Sequence, residues 1–447
     1  MRSRIPKPLH PLCGEPLISH ILGAARSALE VDPVLVVSPG AEALRDAVGE
    51  AATFVVEDPP LGTGHALLSA RSELEGEAQH LLVLYSDTPL LRSETLRALM
   101  AHHTESSSDL TFLTATDGPI ERLGRVTRDE AGRPTGIVEA AQVQGVQERR
   151  PEINVGAYCF RTDLLWPRLE ELAPAPGGER FLTDLVALLH GAGDRVETVE
   201  VEDGWEALGI NTRVDLAQAE ALLRERICRN WMLAGVTIQD PASTFIDAGV
   251  ELEPDTVLLP NTHLRGRTNI GESCRIGPGS IIVDSAVGEG CVVVASVLEG
   301  ATLEPHVDVG PFSHLRPGAH IESGVHIGNF VEVKQSRLGR DTQVGHFSYI
   351  GDATLGARVN IGAGTVTCNY DGVRKLRTTI EDEAFIGSDT MLVAPVTVGR
   401  GAATGAGSVV TRDVERGTTV TGVPARLHKV TRVSKEGDGD QRRPSGE

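Results

Sequence analysis

Leu303-Glu304-Pro305-His306-Val307-Asp308-Val309-Gly310-Pro311-Phe312-Ser313-His314-Leu315-Arg316-Pro317-Gly318-Ala319-His320-Ile321 carries an aliphatic residue at every sixth position: Leu303, Val309, Leu315 and Ile321. The series runs on through Ile327 and Val333, then Leu338, Val344, Ile350, Leu355 and Ile361 with two spacings of five. After an interruption it resumes at Ile386, Leu392 and Val398. An α-helix repeats every 3.6 residues and a half-buried strand every 2, so neither produces a sustained period of six. A solenoid of short flat sides does: the hexapeptide parallel β-helix. Each coil of such a solenoid buries its apolar face only against the coils above and below. Gly often follows the aliphatic residue and a small residue tends to sit four places on, as tight corners require.

Outward from that stretch, the 447 residues allow two or three domains. Lys plus Arg number 42 against 62 Asp plus Glu, a net charge of −20. This balance argues against nucleic acid or an anionic membrane as the main partner, while leaving room for a local basic pocket. Six cysteines without a CxxC pair favour reduced thiols over a disulfide framework or zinc site. The opening Met-Arg-Ser-Arg-Ile-Pro-Lys-Pro lacks the apolar run of a signal peptide, and no segment approaches the ~20 apolar residues of a membrane span. The expectation is a soluble, cytoplasmic protein.

Residues 1–212 alternate strand-like runs (Val34–Val37, Leu81–Tyr85, Leu110–Leu113, Ala157–Phe160, Val196–Val201) with helical patterns (Leu17–Leu29, Ala41–Val48, Ser93–His102). That alternation predicts an α/β domain with a mostly parallel sheet. Residues 213–243 read as a linker dominated by one helix, with Leu216, Ala219, Leu223, Ile227 and Trp231 on a single stripe. The solenoid then occupies 244–424, and 425–447 reads as a polar, disordered tail.

In the front half, Leu61-Gly62-Thr63-Gly64-His65 is a glycine-rich turn opening a helical pattern, where backbone N–H groups can approach a nucleotide; an ordinary turn is the competing reading. The strand Leu81–Tyr85 ends at Ser86-Asp87, the place where ligands gather in open α/β sheets, and Asp87 suits a hard cation there. Lys7 sits in a Pro-rich loop, as a phosphate contact or a solvated charge. In the solenoid, three sides of six make a coil of about 18, so Arg316 and Lys334, 18 apart, stack on one face ~4.8 Å apart. Two stacked cations point to an anion between them, with a solvated ladder beside acidic neighbours as the competing reading. The same arithmetic puts His314, His320 and His326 on three different sides, so they cannot converge on one metal. His346 stands apart from these, close to a loop read over Thr367–Lys375.

These motifs resemble, in order and over nearly the whole chain, the GlmU family of N-acetylglucosamine-1-phosphate uridylyltransferases/glucosamine-1-phosphate N-acetyltransferases. The resemblance rests on Pro6-Lys7-x-Leu9-His10, Leu61–Ala66, Tyr85–Asp87, Leu123-Gly124-Arg125, Gly136–Glu139, Glu152–Asn154 and Gly209–Asn211. In the solenoid it rests on Arg316–Gly318, Asn329–Lys334, Gly345-His346, Tyr349, Asn360–Gly364 and Cys368–Gly372. It implies a Rossmann-like α/β nucleotidyltransferase domain followed by a left-handed parallel β-helix of hexapeptide repeats. The product would be UDP-N-acetylglucosamine, made by acetyl transfer from acetyl-CoA to glucosamine 1-phosphate and then uridylyl transfer from UTP. By resemblance, Asp87 and Asn211 hold Mg²⁺. Lys7, Glu57, Gly62, Thr63, Tyr85, Ser86, Gly124, Glu139 and Asn154 line the nucleotide and sugar site. His346 is the general base. Arg316 and Lys334 grip the sugar phosphate while Tyr349 and Asn360 bind the sugar. Ala363, Asn369, Tyr370, Lys375, Ser388 and Ala406 follow the acetyl-CoA groove. Related enzymes are homotrimers with sites between β-helices.

The chain departs from the family pattern in four places. Met1 aligns just after the family's opening strand and Gly-x-Gly-Thr-Arg loop, so a polypeptide beginning there is expected to be weak in uridylyl transfer. Glu57 stands in place of a Gln that reads the uracil, and a carboxylate lacks the amide's donor. Ser86 replaces a Gly. Thr421–Arg426 follows the Gly-x-Pro-Ala-Arg ending of other hexapeptide transferases, which bears on the late acetyl-CoA contacts. Alternative readings are an acetyltransferase with a degenerate front half, or another sugar-1-phosphate nucleotidyltransferase carrying a β-helix.

Overall fold

The computed structural model describes residues 1–139, 151–175 and 177–430. The chain divides into two compact units, Met1–Leu223 and Arg224–Glu447.

In the first unit a six-stranded sheet orders Val196–Glu200, Leu110–Ala115, Ile153–Arg161, Arg125–Arg128 and Pro134–Val138, with His80–Leu84 also pairing Ile153–Arg161. A separate parallel pair joins Val34–Val37 to Thr53–Val56. Ile153–Arg161 is the central strand, buried on both faces along all but its last residue. Its alternate side chains feed two apolar layers: Tyr158 and Phe160 pack with Phe112 and Trp166, while Val155, Ala157 and Cys159 pack with Leu96, Leu99 and Leu113. The expectation of a mostly parallel sheet is corrected. Only Val196–Glu200 with Leu110–Ala115 is parallel in the larger sheet; the other pairings are antiparallel. The cause is local. Asp129 accepts hydrogen bonds from the Ala131 and Arg133 backbones, closing a tight hairpin between Arg125–Arg128 and Pro134–Val138 in place of a helical crossover.

The second unit is a parallel β-helix of three faces with 12, 10 and 9 strands. Most strands are two or three residues long, and the aliphatic residue of the six-residue period points inward. Leu315, Ile321, Ile327, Val333, Val344 and Ile350 are fully buried, each worth roughly 1.5–3 kcal/mol of apolar burial. The small residue four places on has its own task. Thr342 donates its hydroxyl to Gly356 O at 2.9 Å and accepts from Val359 N at 3.1 Å, so a buried hydroxyl satisfies the backbone of the next coil.

Two boundaries move. The helix spans Arg213–Leu233, but the first coil already begins at Thr237–Ile238, which pairs with Val257–Leu258, so the linker is shorter than 213–243. Cys228, Ile227 and Trp231 cover the inner end of the solenoid. At the other end, Arg426–Val430, expected within the tail, forms a strand antiparallel to Thr418–Thr421, because the Gly422–Ala425 turn reverses the chain. Residues 431–447 lie outside the described residues. Among those described, no helix is long and apolar enough to cross a membrane.

Two candidate catalytic sites

In the first unit the side chains converge where His80–Leu84 ends. Lys7 lies in a single 3₁₀ turn, Lys7–Leu9, started by Pro6. Its Nζ donates to Asp87 Oδ2 at 2.7 Å and to Asn211 Oδ1 at 2.8 Å. The backbone fixes both acceptors. Ile210 N donates to Asp87 O at 2.9 Å, and Asp215 accepts from Asn211 N and Thr212 N at the head of helix Arg213–Leu233. A carboxylate and an amide oxygen turned toward one cation are a donor set that suits a hard divalent ion completed by phosphate and water.

Around this centre lies a network of polar groups. Asn154 N donates to Gly124 O, Asn154 Nδ2 donates to Tyr158 OH at 2.6 Å, and Tyr158 OH lies 3.5 Å from Tyr85 OH. Burial pushes the pKa of both phenols upward, Tyr158 well above its usual range, so both remain neutral. Gly156 leaves space for the Tyr85 ring: a Cβ there would sit 2.7 Å from Tyr85 Cδ2. Thr183 donates to Glu139 at 3.2 Å, and Ser86 faces a cleft shared with Pro6, Pro8, Val37 and Ser38.

The glycine-rich turn has a structural duty that its sequence does not announce. Gly62 has φ +100°, and its Cβ would approach Arg180 O to 2.7 Å. Gly64 N donates to Arg180 O and Arg180 N to Leu61 O, while Thr63 Oγ1 accepts from Leu182 N. Those hydrogen bonds hold the turn against Arg180–Leu182. Glu57, buried, accepts from Leu61 N at 3.0 Å and from His65 Nδ1 at 2.8 Å.

In the solenoid, Leu315 pairs with Val333, so Arg316 and Lys334 stack one coil apart as their spacing requires. Arg316 also meets Glu332 at 2.9 Å, the first cause of its raised pKa. His314, His320 and His326 fall on three separate faces and each meets a carboxylate of the preceding coil: Glu299, Glu304 and Asp308. Tyr349 follows on the face of Lys334. Its ring lies over Gly351, and its OH accepts from Asn369 Nδ2 at 3.3 Å while that amide also donates to Asp352 at 2.5 Å.

His346 closes the strand Gln343–His346, directly above Asn329. Its Nδ1 lies 2.5 Å from Asn329 Oδ1. With the amide oxygen as acceptor, the proton sits on Nδ1 and Nε2 carries the lone pair. Extending the register places Ala363, Ser388 and Ala406 above His346 as a strip of small residues, with Asn360 on the same face, paired with Gln343. The next corner position is left-handed in every coil: Phe312, Phe330, Phe347, Gly364, Asp389 and Gly407. Three phenylalanines in that conformation are exposed and stacked, with centroids 5.5 and 5.1 Å apart. Arg316 and Lys334 lie on the ten-stranded face, at the end away from that corner.

The interruption is shorter than expected. Val366–Cys368 remains a strand with Thr367 fully buried, and the expelled loop is Asn369–Arg377, pinched by a bridge from Tyr370 to Lys375. Lys375 lies beside Lys334, whose pKa it lowers, rather than on the small-residue strip. Asn329, Asp352, Glu332 and His65 were not singled out by sequence reasoning. For Asn329 a signal existed, since it lies one coil, 17 residues, before His346.

Residues 1–192 match the family described as a MobA-like NTP transferase domain, and 377–412 match the hexapeptide repeat of succinyl-transferase. The bifunctional protein GlmU of Heliobacterium modesticaldum is 46% identical over 418 residues, which is 93% of this chain and 91% of its own. That of Desulfitobacterium hafniense (strain DSM 10664 / DCB-2) is 42% identical, covering 94% and 92%. That of Brevibacillus brevis is 41% identical, covering 97% and 95%. Among solved structures, CMP:2-keto-3-deoxy-manno-octonic acid synthetase with CTP covers 50% of this chain and 94% of its own, at 21% identity and a TM-score of 0.39.

Proposed function

The chain belongs to the bifunctional GlmU family, and from that premise we propose that it makes UDP-N-acetylglucosamine by acetyl transfer followed by uridylyl transfer. In the first reaction the 2-amino group of glucosamine 1-phosphate attacks the thioester carbonyl of acetyl-CoA. The C–S bond breaks, coenzyme A leaves as the thiolate, and the amine loses a proton. His346 Nε2 takes that proton. The observation that carries this role is the Nδ1 contact with Asn329, which fixes the tautomer and leaves Nε2 basic. Arg316, Lys334 and, by its position, Lys375 form the cationic grip on the sugar phosphate. Tyr349 and Asn360 hold the sugar, and Ala363, Ser388 and Ala406 leave room for the pantetheine arm, with Asn369 and Tyr370 closing the groove.

In the second reaction a phosphate oxygen of N-acetylglucosamine 1-phosphate attacks the α-phosphorus of UTP, and pyrophosphate leaves. Asp87 and Asn211 would hold Mg²⁺, which supplies charge neutralisation for the gathered phosphate oxygens. Lys7 adds positive charge to the same oxygens. Gly62, Thr63, Tyr85, Gly124, Glu139 and Asn154 shape the pocket, Ser86 sits at its edge, and Glu57 offers only acceptor oxygens toward a base. The exposed Phe312–Phe330–Phe347 ladder beside His346, together with the distance along the face to Arg316 and Lys334, supports a homotrimer in which a second copy completes the acetyl-transfer site. A cytoplasmic location follows from UTP and acetyl-CoA being cytosolic metabolites.

Replacing His346 by Ala tests the reading. The side chain is exposed and makes one side-chain hydrogen bond, so folding should be unaffected. Release of coenzyme A should fall by ~10²–10⁴-fold with uridylyl transfer unchanged. Near-normal acetyl transfer rejects the general-base role.

A further inference from the structure

Lys7 Nζ occupies one point between Asp87 Oδ2 and Asn211 Oδ1, at 2.7 and 2.8 Å. These are the two oxygens assigned above to a divalent cation, and the inference rests on that assignment. Magnesium binds oxygen at about 2.0–2.1 Å. An ammonium held midway between the two donors and an ion bound to both would fill the same small volume with like charge. They exclude each other. The ammonium is also tethered: Pro6 and the Lys7–Leu9 turn keep it at the site, and its side chain is only about one-third exposed.

We propose that Lys7 is a built-in cation that holds the metal seat until nucleotide arrives, then leaves Asp87 for the phosphates. In the ligand-free protein the ammonium neutralises Asp87, so a divalent ion must displace one positive charge to enter. A nucleotide triphosphate offers that ammonium a new anion. When Lys7 turns to a phosphate oxygen it vacates the space between Asp87 and Asn211 and leaves the carboxylate bare. Metal and nucleotide therefore bind in concert, and the seat stays closed to free divalent ions. The same residue then serves twice: as a plug before binding and as a phosphate contact after it.

The test measures Mn²⁺ binding to the full-length protein without nucleotide, by titration against the electron paramagnetic resonance signal of the free ion. Lys7→Met removes the ammonium at similar length and should bind Mn²⁺ about tenfold more tightly than the unaltered protein. Lys7→Arg keeps the charge and should bind weakly, as the unaltered protein does. Lys7→Gln repeats the charge removal should the methionine variant fold poorly, with circular dichroism as the check. Equal or weaker Mn²⁺ binding by both neutral variants overturns the plug. Adding Asp87→Asn to Lys7→Met separates this from the underlying assignment. If the tight site survives that change, Asp87 is not the seat and the assignment itself fails. If it vanishes while Lys7→Met alone had gained affinity, both stand.

Discussion

Lowering the pH to 5 should loosen the first unit through a single imidazole. His103, on helix Ser93–Ser106, is completely buried, with Nδ1 2.9 Å from Thr111 Oγ1 and Nε2 3.1 Å from His80 Nδ1. Burial first, and then His80, depress its pKa from 6.5 to about 4. A group depressed in the folded state gives stability that is present above its unfolded pKa and lost as pH falls toward the folded one. The ring is neutral when folded and takes a proton when unfolded between pH 6.5 and 4. From those two values the loss relative to neutral pH is about 2 kcal/mol at pH 5 and about 3 kcal/mol at pH 4. That is a large share of the roughly 5–15 kcal/mol of a typical domain. Hydrogen exchange of peptides from Ser93–Ser106 and Leu110–Ala115 reads this unit apart from the solenoid. His103→Gln removes the titrating group, so the pH-dependent part should appear as a difference between the two proteins across pH 7 to 4.5. A flat difference over that range, or an imidazole titrating near pH 6.5 by NMR, refutes the reasoning.

Gly351→Ala places a Cβ against the Tyr349 ring, 2.6 Å from Cζ, and 2.7 Å from Asn369 Nδ2. Those side chains are the movable parties, so the KM for the sugar phosphate should rise about tenfold or more with thermal stability little changed; an unaltered KM argues against Tyr349 as a substrate contact. Phe330→Glu puts a charge in the middle of the exposed aromatic ladder. Light scattering should then show dissociation and acetyl transfer should fall with it, while an intact assembly would remove the ladder from the interface.

The solenoid was legible because each coil repeats one decision: a single inward aliphatic residue at a fixed offset. That offset also carried the stacking of Arg316 on Lys334 and the dispersal of His314, His320 and His326. Partners one coil away were harder to see, since Asn329 and His346 are distant in sequence and meet only when the coil length is applied to polar residues too. The break in the six-residue period takes Thr367 into the expected loop, yet it is buried and donates its hydroxyl to Gly351 O at 2.9 Å. In the first unit, alternation marked the strands but said nothing of direction. Direction was decided by turns such as Asp129–Arg133, whose Asp and Gly are the usual currency of a hairpin. Glu57 illustrates a different limit: the family resemblance implies a base contact there, whereas its partners are Leu61 and His65.

Arg426–Val430 runs against Thr418–Thr421, whereas every other pairing on that face is parallel. A stack of parallel coils has no inherent length, because the exposed backbone groups of the last coil match those of a first coil from another molecule. The reversed strand breaks that match on the longest face and presents Arg426, His428 and Lys429 at the rim. Head-to-tail growth thus meets the wrong polarity and a concentration of positive charge. The same five residues that looked like the start of a tail leave this face without the parallel edge that end-to-end stacking of solenoids requires.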